Sequence, residues 1–181
     1  MTKSPRTVLL GVTGSIAAYK ACEIISALRK SSVDVQALLT KEGERFITPL
    51  TLQTLSRNKV VADMFELPDE WNPVHTSLAD KADLILIAPA TANIIGKLAG
   101  GTCDDILSCV VFASSAPVLI APAMNEKMYM HKIVQENIAK LKKIGYKFIG
   151  PVKGHLACGH AAIGHLADTQ DIVKEALRLL K

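Results

Sequence analysis

Thr7-Val-Leu-Leu-Gly-Val12, then Thr13-Gly-Ser15, then Ile16-Ala-Ala-Tyr-Lys20 running on to Lys30, is the stretch that decides the fold. A run of apolar, largely branched residues ends in a small polar turn. The turn opens a segment with Ala17, Ala21, Ile24, Ile25 and Leu28 at helical spacing. A strand, a tight turn and an amphipathic helix in that order begin a βαβ unit. Lys3 and Arg6 ahead of the apolar run superficially resemble a secretory signal. Thr13, Gly14 and Ser15 interrupt that run at once, so it is predicted to be the first strand.

The pattern recurs along the chain. Val33–Leu39 is predicted as the second strand, Leu84–Ala88 and Val118–Ala121 as later ones, and Tyr146–Ile149 as the last. Helical patterns cover Pro49–Ser56, Asn93–Ala99, Asp104–Ala113, Met130–Ile144 and Thr169–Leu180, with a short one at Thr76–Lys81. Arg57–Pro73 shows no period and is read as irregular. Continuous apolar strands alternating with helices argue for an α/β fold: a doubly wound parallel sheet, Rossmann-like or flavodoxin-like, with helices on both faces. No linker or repeat divides the chain, so one domain over residues 1–181 is expected. The longest stretch without a regular period is Gly150–Asp168, rich in glycine, and it is read as a substrate flap.

Composition narrows the function classes. Of 181 residues, 49% are apolar and 21% charged, which is a globular balance. The net charge of +4 suits an anionic ligand or simply a solvated surface. Lys140, Lys142, Lys143 and Lys147 lack aromatic interleaving, so they read as an exposed helix end rather than a nucleic-acid patch. Cys22, Cys103, Cys109 and Cys158 form no C-x-x-C pair, so no disulfide framework is predicted and a cytoplasmic setting is expected. No apolar run approaches the ~20 residues of a membrane helix.

In doubly wound sheets, ligands bind beyond the carboxyl ends of the strands. The segments Gly11-Val-Thr-Gly-Ser15, Leu39-Thr-Lys41, Ala88-Pro-Ala-Thr-Ala-Asn93 and Ala121-Pro-Ala-Met-Asn125 would gather there. Gly14-Ser15 opens a helix and either binds a phosphate or merely caps. It matches neither the G-x-G-x-x-G fingerprint nor a Walker A loop. His75 is either a surface or capping residue or an acid/base catalyst. Asn93 and Asn125 either satisfy local backbone groups or hold a ligand. Cys158 in the glycine-rich flap is either a small buried hydrophobe or a reactive thiol. His155, Cys158, His160 and His165 invite a metal reading, but their spacing fits no common zinc pattern and no metal is expected.

Six motifs in order carry a resemblance that covers Thr7 to Leu180: Gly14-Ser-Ile-Ala-Ala-Tyr-Lys20, His75 ahead of Leu78-Ala-Asp80, Pro89-Ala-Thr-Ala-Asn93, Asp104-Asp-Ile-Leu-Ser108, Pro122-Ala-Met-Asn125 and Leu156-Ala-Cys-Gly159. The chain resembles the homo-oligomeric flavin-containing cysteine decarboxylases, and within them the branch that acts on phosphopantothenoylcysteine in coenzyme A synthesis. The resemblance implies FMN as cofactor, with Gly14, Ser15 and Ile16 at its phosphate end. Thr40, Lys41 and Glu42 would line the same cofactor, as would Thr91, Ala92, Asn93, Ile94 and Ala123. Asn125 would grip the substrate carboxylate, and His155, Leu156 and Ala157 would help clamp the substrate. His75 would be the acid/base and Cys158 a late proton donor. A trimer, or a dodecamer of trimers, with FMN near a subunit interface is also implied. The chain departs from the family pattern at Ala162, where a glycine is usual, at His165, where an arginine is usual, and at Ile94, where threonine is frequent.

The chemistry explains why such residues would be needed. Loss of CO2 from a cysteine carboxylate leaves a carbanion with no electron sink. Oxidation of the thiol to a thioaldehyde by the flavin supplies one, and the enethiol left after CO2 loss is then reduced. The protein contributes orientation, a base near neutral pH and a proton donor on a closing flap. Two other readings compete: a peptidyl-cysteine decarboxylase of antibiotic maturation, and a non-catalytic flavin-binding regulatory subunit. The pairing of His75 with Cys158 in a Leu-Ala-Cys-Gly flap argues against both. The opening motif and arginine arrangement of a flavin prenyltransferase are not seen.

Overall fold

The computed structural model describes residues 5–65, 73–155 and 161–181. In chain order the elements are β1 (Thr7–Val12), α1 (Ala21–Lys30), β2 (Asp34–Leu39), α2 (Pro49–Ser56), α3 (Val74–Lys81), β3 (Leu84–Ala90) and α4 (Ala92–Gly100). Then follow α5 (Ile106–Ala113), β4 (Val118–Pro122), α6 (Glu126–Tyr129), α7 (Lys132–Lys143), β5 (Lys147–Phe148), β6 (Val152–His155), β7 (Ala161–His165) and α8 (Thr169–Leu179).

Five strands form one sheet in the order β2-β1-β3-β4-β5, and every pairing in it is parallel. This is the flavodoxin-like arrangement of the doubly wound fold. The strands look uniformly apolar because both faces are covered, and the two-residue period divides the side chains between two cores. Val8, Leu10 and Val12 of β1, with Leu84 and Leu86 of β3, pack with α1, α2 and α8. Leu9, Ile85 and Ile87 pack on the opposite face with α4, α5 and α7. All of β3 is buried, as befits the strand between two neighbours and two helical layers.

Several boundaries differ from the sequence reading for identifiable reasons. The helix expected over Ile16–Lys30 begins as a 3-10 helix, Ile16–Lys20, before α1 takes over. Ser15 Oγ accepts the Ala17 N–H at 3.3 Å and the Ser15 carbonyl accepts the Ala18 N–H at 2.9 Å, which tightens this first turn. The helix expected over Met130–Ile144 is one helix, α7, that starts two residues later, and the short α6 ahead of it was not expected. His131 Nδ1 accepts the Ile133 N–H at 3.3 Å and so caps a fresh helix, α7, behind the short α6. The flap is the larger correction. Val152, Lys153, Gly154 and His155 pair antiparallel with His165, Ile163, Ala162 and Ala161, so both ends of Gly150–Asp168 form a hairpin. Glycines and alanines in its strands hide the alternation that would have announced them.

Candidate active site

The strand order reverses between β1 and β3, and the turns that leave β1, β2, β3 and β4 surround a cavity of about 650 Å³. This lies within the ~300–1,000 Å³ of ligand pockets, at the place where doubly wound folds bind ligands. The buried Thr13 pins two of these turns together. Its hydroxyl donates to the Pro89 carbonyl at 2.6 Å and accepts the Thr91 N–H at 3.1 Å. Thr13→Val keeps the shape but strands both backbone groups. Urea unfolding is expected to show a loss of about 2 kcal/mol; an unchanged midpoint would mean that water replaces the hydroxyl.

On the β2 side, Gly14 lies so close to the next turn that a Cβ there would stand 2.5 Å from the Glu42 Cβ. Absence of a side chain is therefore what lets the β1 and β2 turns meet. Thr40 is buried, and its Oγ1 accepts the Gly43 N–H at 3.2 Å, which fixes the turn that carries Glu42.

On the β3 side, Thr91 caps α4 by accepting the Ile94 N–H at 3.5 Å. The N–H groups of Ala92 and Asn93 then open the helix with no acceptor inside it, at its positive end. Asp105 borders the same part of the cavity. Its carboxylate accepts from Ser108 N at 2.8 Å and from Lys97 Nζ at 2.6 Å, and Lys97 also reaches Asp104 at 2.7 Å. Burial pushes the Asp105 carboxyl up, but the bonds from Lys97 and Ser108 outweigh it and hold the group below the usual carboxylate range. Asp105 is thus a fixed anion under the α4 side of the cavity.

On the β4 side, Met124 N donates to the Gly164 carbonyl at 3.0 Å, which docks the β6–β7 hairpin on the Pro122–Asn125 turn. Asn125 caps α6, its Oδ1 accepting the Lys127 N–H at 2.9 Å. Across the cavity mouth, Lys20 Nζ lies 3.3 Å from His165 Nε2.

A family model described as Flavoprotein matches residues 1–181. The chain belongs to this flavoprotein family. It is 49% identical over 174 residues to the coenzyme A biosynthesis bifunctional protein CoaBC of Bacillus subtilis, covering 94% of this chain and 42% of that protein. The chain therefore spans less than half the length of that bifunctional relative. It is 46% identical over 177 residues to a probable phosphopantothenoylcysteine decarboxylase of Streptococcus mutans, covering 97% of each. Among solved structures, the FMN-dependent cysteine decarboxylase SpaF superposes with a TM-score of 0.86 at 28% identity, covering 98% of each chain. A PPC decarboxylase mutant complexed with pantothenoylaminoethenethiol superposes with a TM-score of 0.84 at 29% identity, covering 96% of this chain and 97% of that one.

The cavity of this flavoprotein gathers Gly14, Ser15 and Ile16 from the first turn and Thr40 and Glu42 from the second. It adds Thr91, Ala92, Asn93 and Ile94 from the third, and Ala123 and Asn125 from the fourth. Lys41 is exposed and does not line it. Thr40 is buried and Glu42 faces the cavity, so the side chain between them turns away to solvent. His75 does not line it either; it is half-buried on α3, which packs against α5. Leu156, Ala157 and Cys158 lie outside the described residues, as does the side chain of His155. Sequence reasoning missed Thr13, Lys20, Asp105 and His165 as part of the cavity wall. The first, second and third stood inside quoted motifs, and the fourth was noted as a departure and in the discarded metal reading. No periodicity signal marks a side chain that crosses from one turn to another.

Proposed function

We propose that this flavoprotein binds FMN in the strand-end cavity and decarboxylates phosphopantothenoylcysteine to phosphopantetheine and CO2. The observation that carries the reading is the convergence on one cavity of two capped helix starts, two Ala-Pro-Ala turns and a hairpin from the flap. Those parts suit a flavin: a phosphate finds N–H donors at Gly14 and Ile16, the Ser15 N–H being given to the Thr13 carbonyl at 2.8 Å, and at Ala92–Asn93, and a planar apolar ring finds Ala17, Ala123, Ile94 and Leu166. The likeness to decarboxylases of free-standing length supports the same reading.

When bound, FMN supplies the two-electron oxidation of the substrate thiol and its later reversal. The chain's own residues do the rest. Asn125 orients the substrate carboxylate with a neutral amide, so that the carboxylate stays free to depart as CO2. His75 takes up a proton as the thiol is oxidised, and Cys158 delivers one to the enethiol carbon left after CO2 loss. His155, Leu156 and Ala157 help clamp the substrate and exclude water.

His75 reaches the site from a second copy of the chain in a homo-oligomer, a trimer or a multiple of trimers. This accounts for its absence from the wall of its own cavity. Ile16, Tyr19 and Met128 at the cavity mouth are 62%, 55% and 49% exposed, an apolar rim that suits a partner subunit.

The test is an absorbance spectrum of the purified protein, followed by mass analysis of the product from phosphopantothenoylcysteine beside a peptide ending in cysteine. A flavin spectrum with loss of CO2 from the first substrate alone is expected; turnover of the peptide alone would replace the reading by the peptide branch. Cys158→Ser is expected to release CO2 but to accumulate the enethiol, two hydrogens lighter than the normal product. Normal yields of phosphopantetheine from that variant would remove Cys158 from the reduction step.

A further inference from the structure

We infer that Lys20 and His165 together form the subsite for a phosphate monoester at the mouth of the cavity, an inference that rests on the decarboxylase reading above. The two side chains come from elements far apart in the chain, the 3-10 helix after β1 and the end of β7, and their nitrogens meet at 3.3 Å. The Lys20 ammonium can only donate, and it faces the His165 ring nitrogen. Among the described residues neither group forms an ion pair with a carboxylate. Of the two acids that line the cavity, Asp105 is committed to Lys97 and Ser108. Glu42 stands on the β2 turn, at the far edge of the sheet from β4. A lysine and a histidine that face one cavity, with no carboxylate paired to either among the described residues, are a receptor for an anion.

The choice among anions follows from the chemistry. The carboxylate that leaves as CO2 disperses its charge in the transition state. A cation on it would stabilise the ground state most and slow the step. That group belongs with the neutral amide of Asn125. A phosphate keeps its charge throughout, so the Lys20 ammonium with His165 beside it holds it without a kinetic penalty. The hairpin that bears His165 docks on the Met124–Asn125 turn through Gly164. The pair therefore borders the substrate end of the cavity, while FMN's phosphate has the helix starts at Gly14–Ile16 and Ala92–Asn93.

The same chemistry is offered by the substrate's phosphate and by that of FMN, so the test has two arms. In the first, FMN-loaded enzyme is assayed with phosphopantothenoylcysteine and with its dephosphorylated form, and calorimetry compares phosphopantetheine with pantetheine. Lys20→Gln is expected to lower the preference for the phosphorylated ligand about thirtyfold, and His165→Ala about tenfold. His165→Arg, which supplies a forked cation, is expected to keep it. In the second arm, fluorescence quenching compares FMN with riboflavin on the apoprotein. A loss confined to FMN assigns the subsite to the cofactor's phosphate instead of the substrate's. Equal losses for phosphorylated and unphosphorylated ligands, or no loss in either arm, overturn the inference. Wild-type enzyme that binds phosphopantetheine but converts neither substrate would sink the decarboxylase reading, and the calorimetric ratio would still judge the subsite.

Discussion

His75→Asn is expected to leave the protein folded and yellow while cutting turnover by about a hundredfold to ten-thousandfold, the usual worth of a general acid/base. His75 is the second residue of α3, behind Pro73, and makes no part of the cavity wall of its own chain. Its loss should therefore spare the flavin, which a cavity residue would not. Asparagine retains hydrogen bonding and rough size but cannot carry the proton. The location of His75 adds a sharper test. If one chain's imidazole serves another chain's cavity, His75→Asn and Asn125→Asp fail for different reasons and damage different halves of a shared site. Mixed oligomers of the two variants would then hold about a quarter of their sites with both halves intact. Regained activity on co-refolding the two inactive variants is the expected outcome. No recovery, with mixing shown by mass, would place the imidazole and the cavity of one chain in the same site. Full activity of His75→Asn alone would discard the acid/base assignment.

How much of this was legible beforehand depends on the range of the interaction. The sheet was readable because Val8 to Val12 and Leu84 to Ala88 are buried on both faces, and apolar runs announce that directly. The turns that carry the cavity were readable because each leaves a predicted strand. What periodicity does not encode is the link between turns. The Thr13 hydroxyl meets the Pro89 carbonyl across 76 residues, and Lys20 meets His165 across 145. The Asp105 carboxylate belongs to a capping box, which is local, yet its place in the cavity wall depends on the way α5 lies beside α4. The hairpin stayed hidden because Gly154, Ala161 and Ala162 carry no alternating hydrophobic signal, although their backbone pairs, and because the register shifts at Gly164, between the Lys153–Ile163 and Val152–His165 pairs. Likewise, the sequence reading counted Lys41 with its neighbours because proximity in sequence does not say on which side of a turn a side chain falls.

Gly164→Ala is expected to remove substrate binding while leaving the flavin in place. Gly164 has φ 131°, a region that side chains rarely adopt, and a Cβ there would stand 2.2 Å from the Met124 carbonyl oxygen. Backbone in such a region costs about 1–3 kcal/mol for other residues even where space allows, and here space does not. The clash falls on the contact that docks the hairpin, the Met124 N–H on the Gly164 carbonyl. Neither β6 nor β7 belongs to the five-stranded sheet, so the hairpin can lift without unravelling the core. Lifting it separates His165 from Lys20 and withdraws the flap from Asn125. Thr13, Gly14, Thr91 and Ala92 keep their places, since their bonds run within the sheet turns. The expected signature is an FMN affinity within about threefold of wild type beside a KM raised at least about a hundredfold, roughly the 2.7 kcal/mol of a clamp and its anchors. Isothermal calorimetry with phosphopantetheine and flavin fluorescence measure the two separately. Equal losses of both ligands would mean that the hairpin supports the cofactor as well, and unchanged binding of both would show that the Met124 turn can shift to admit a methyl group.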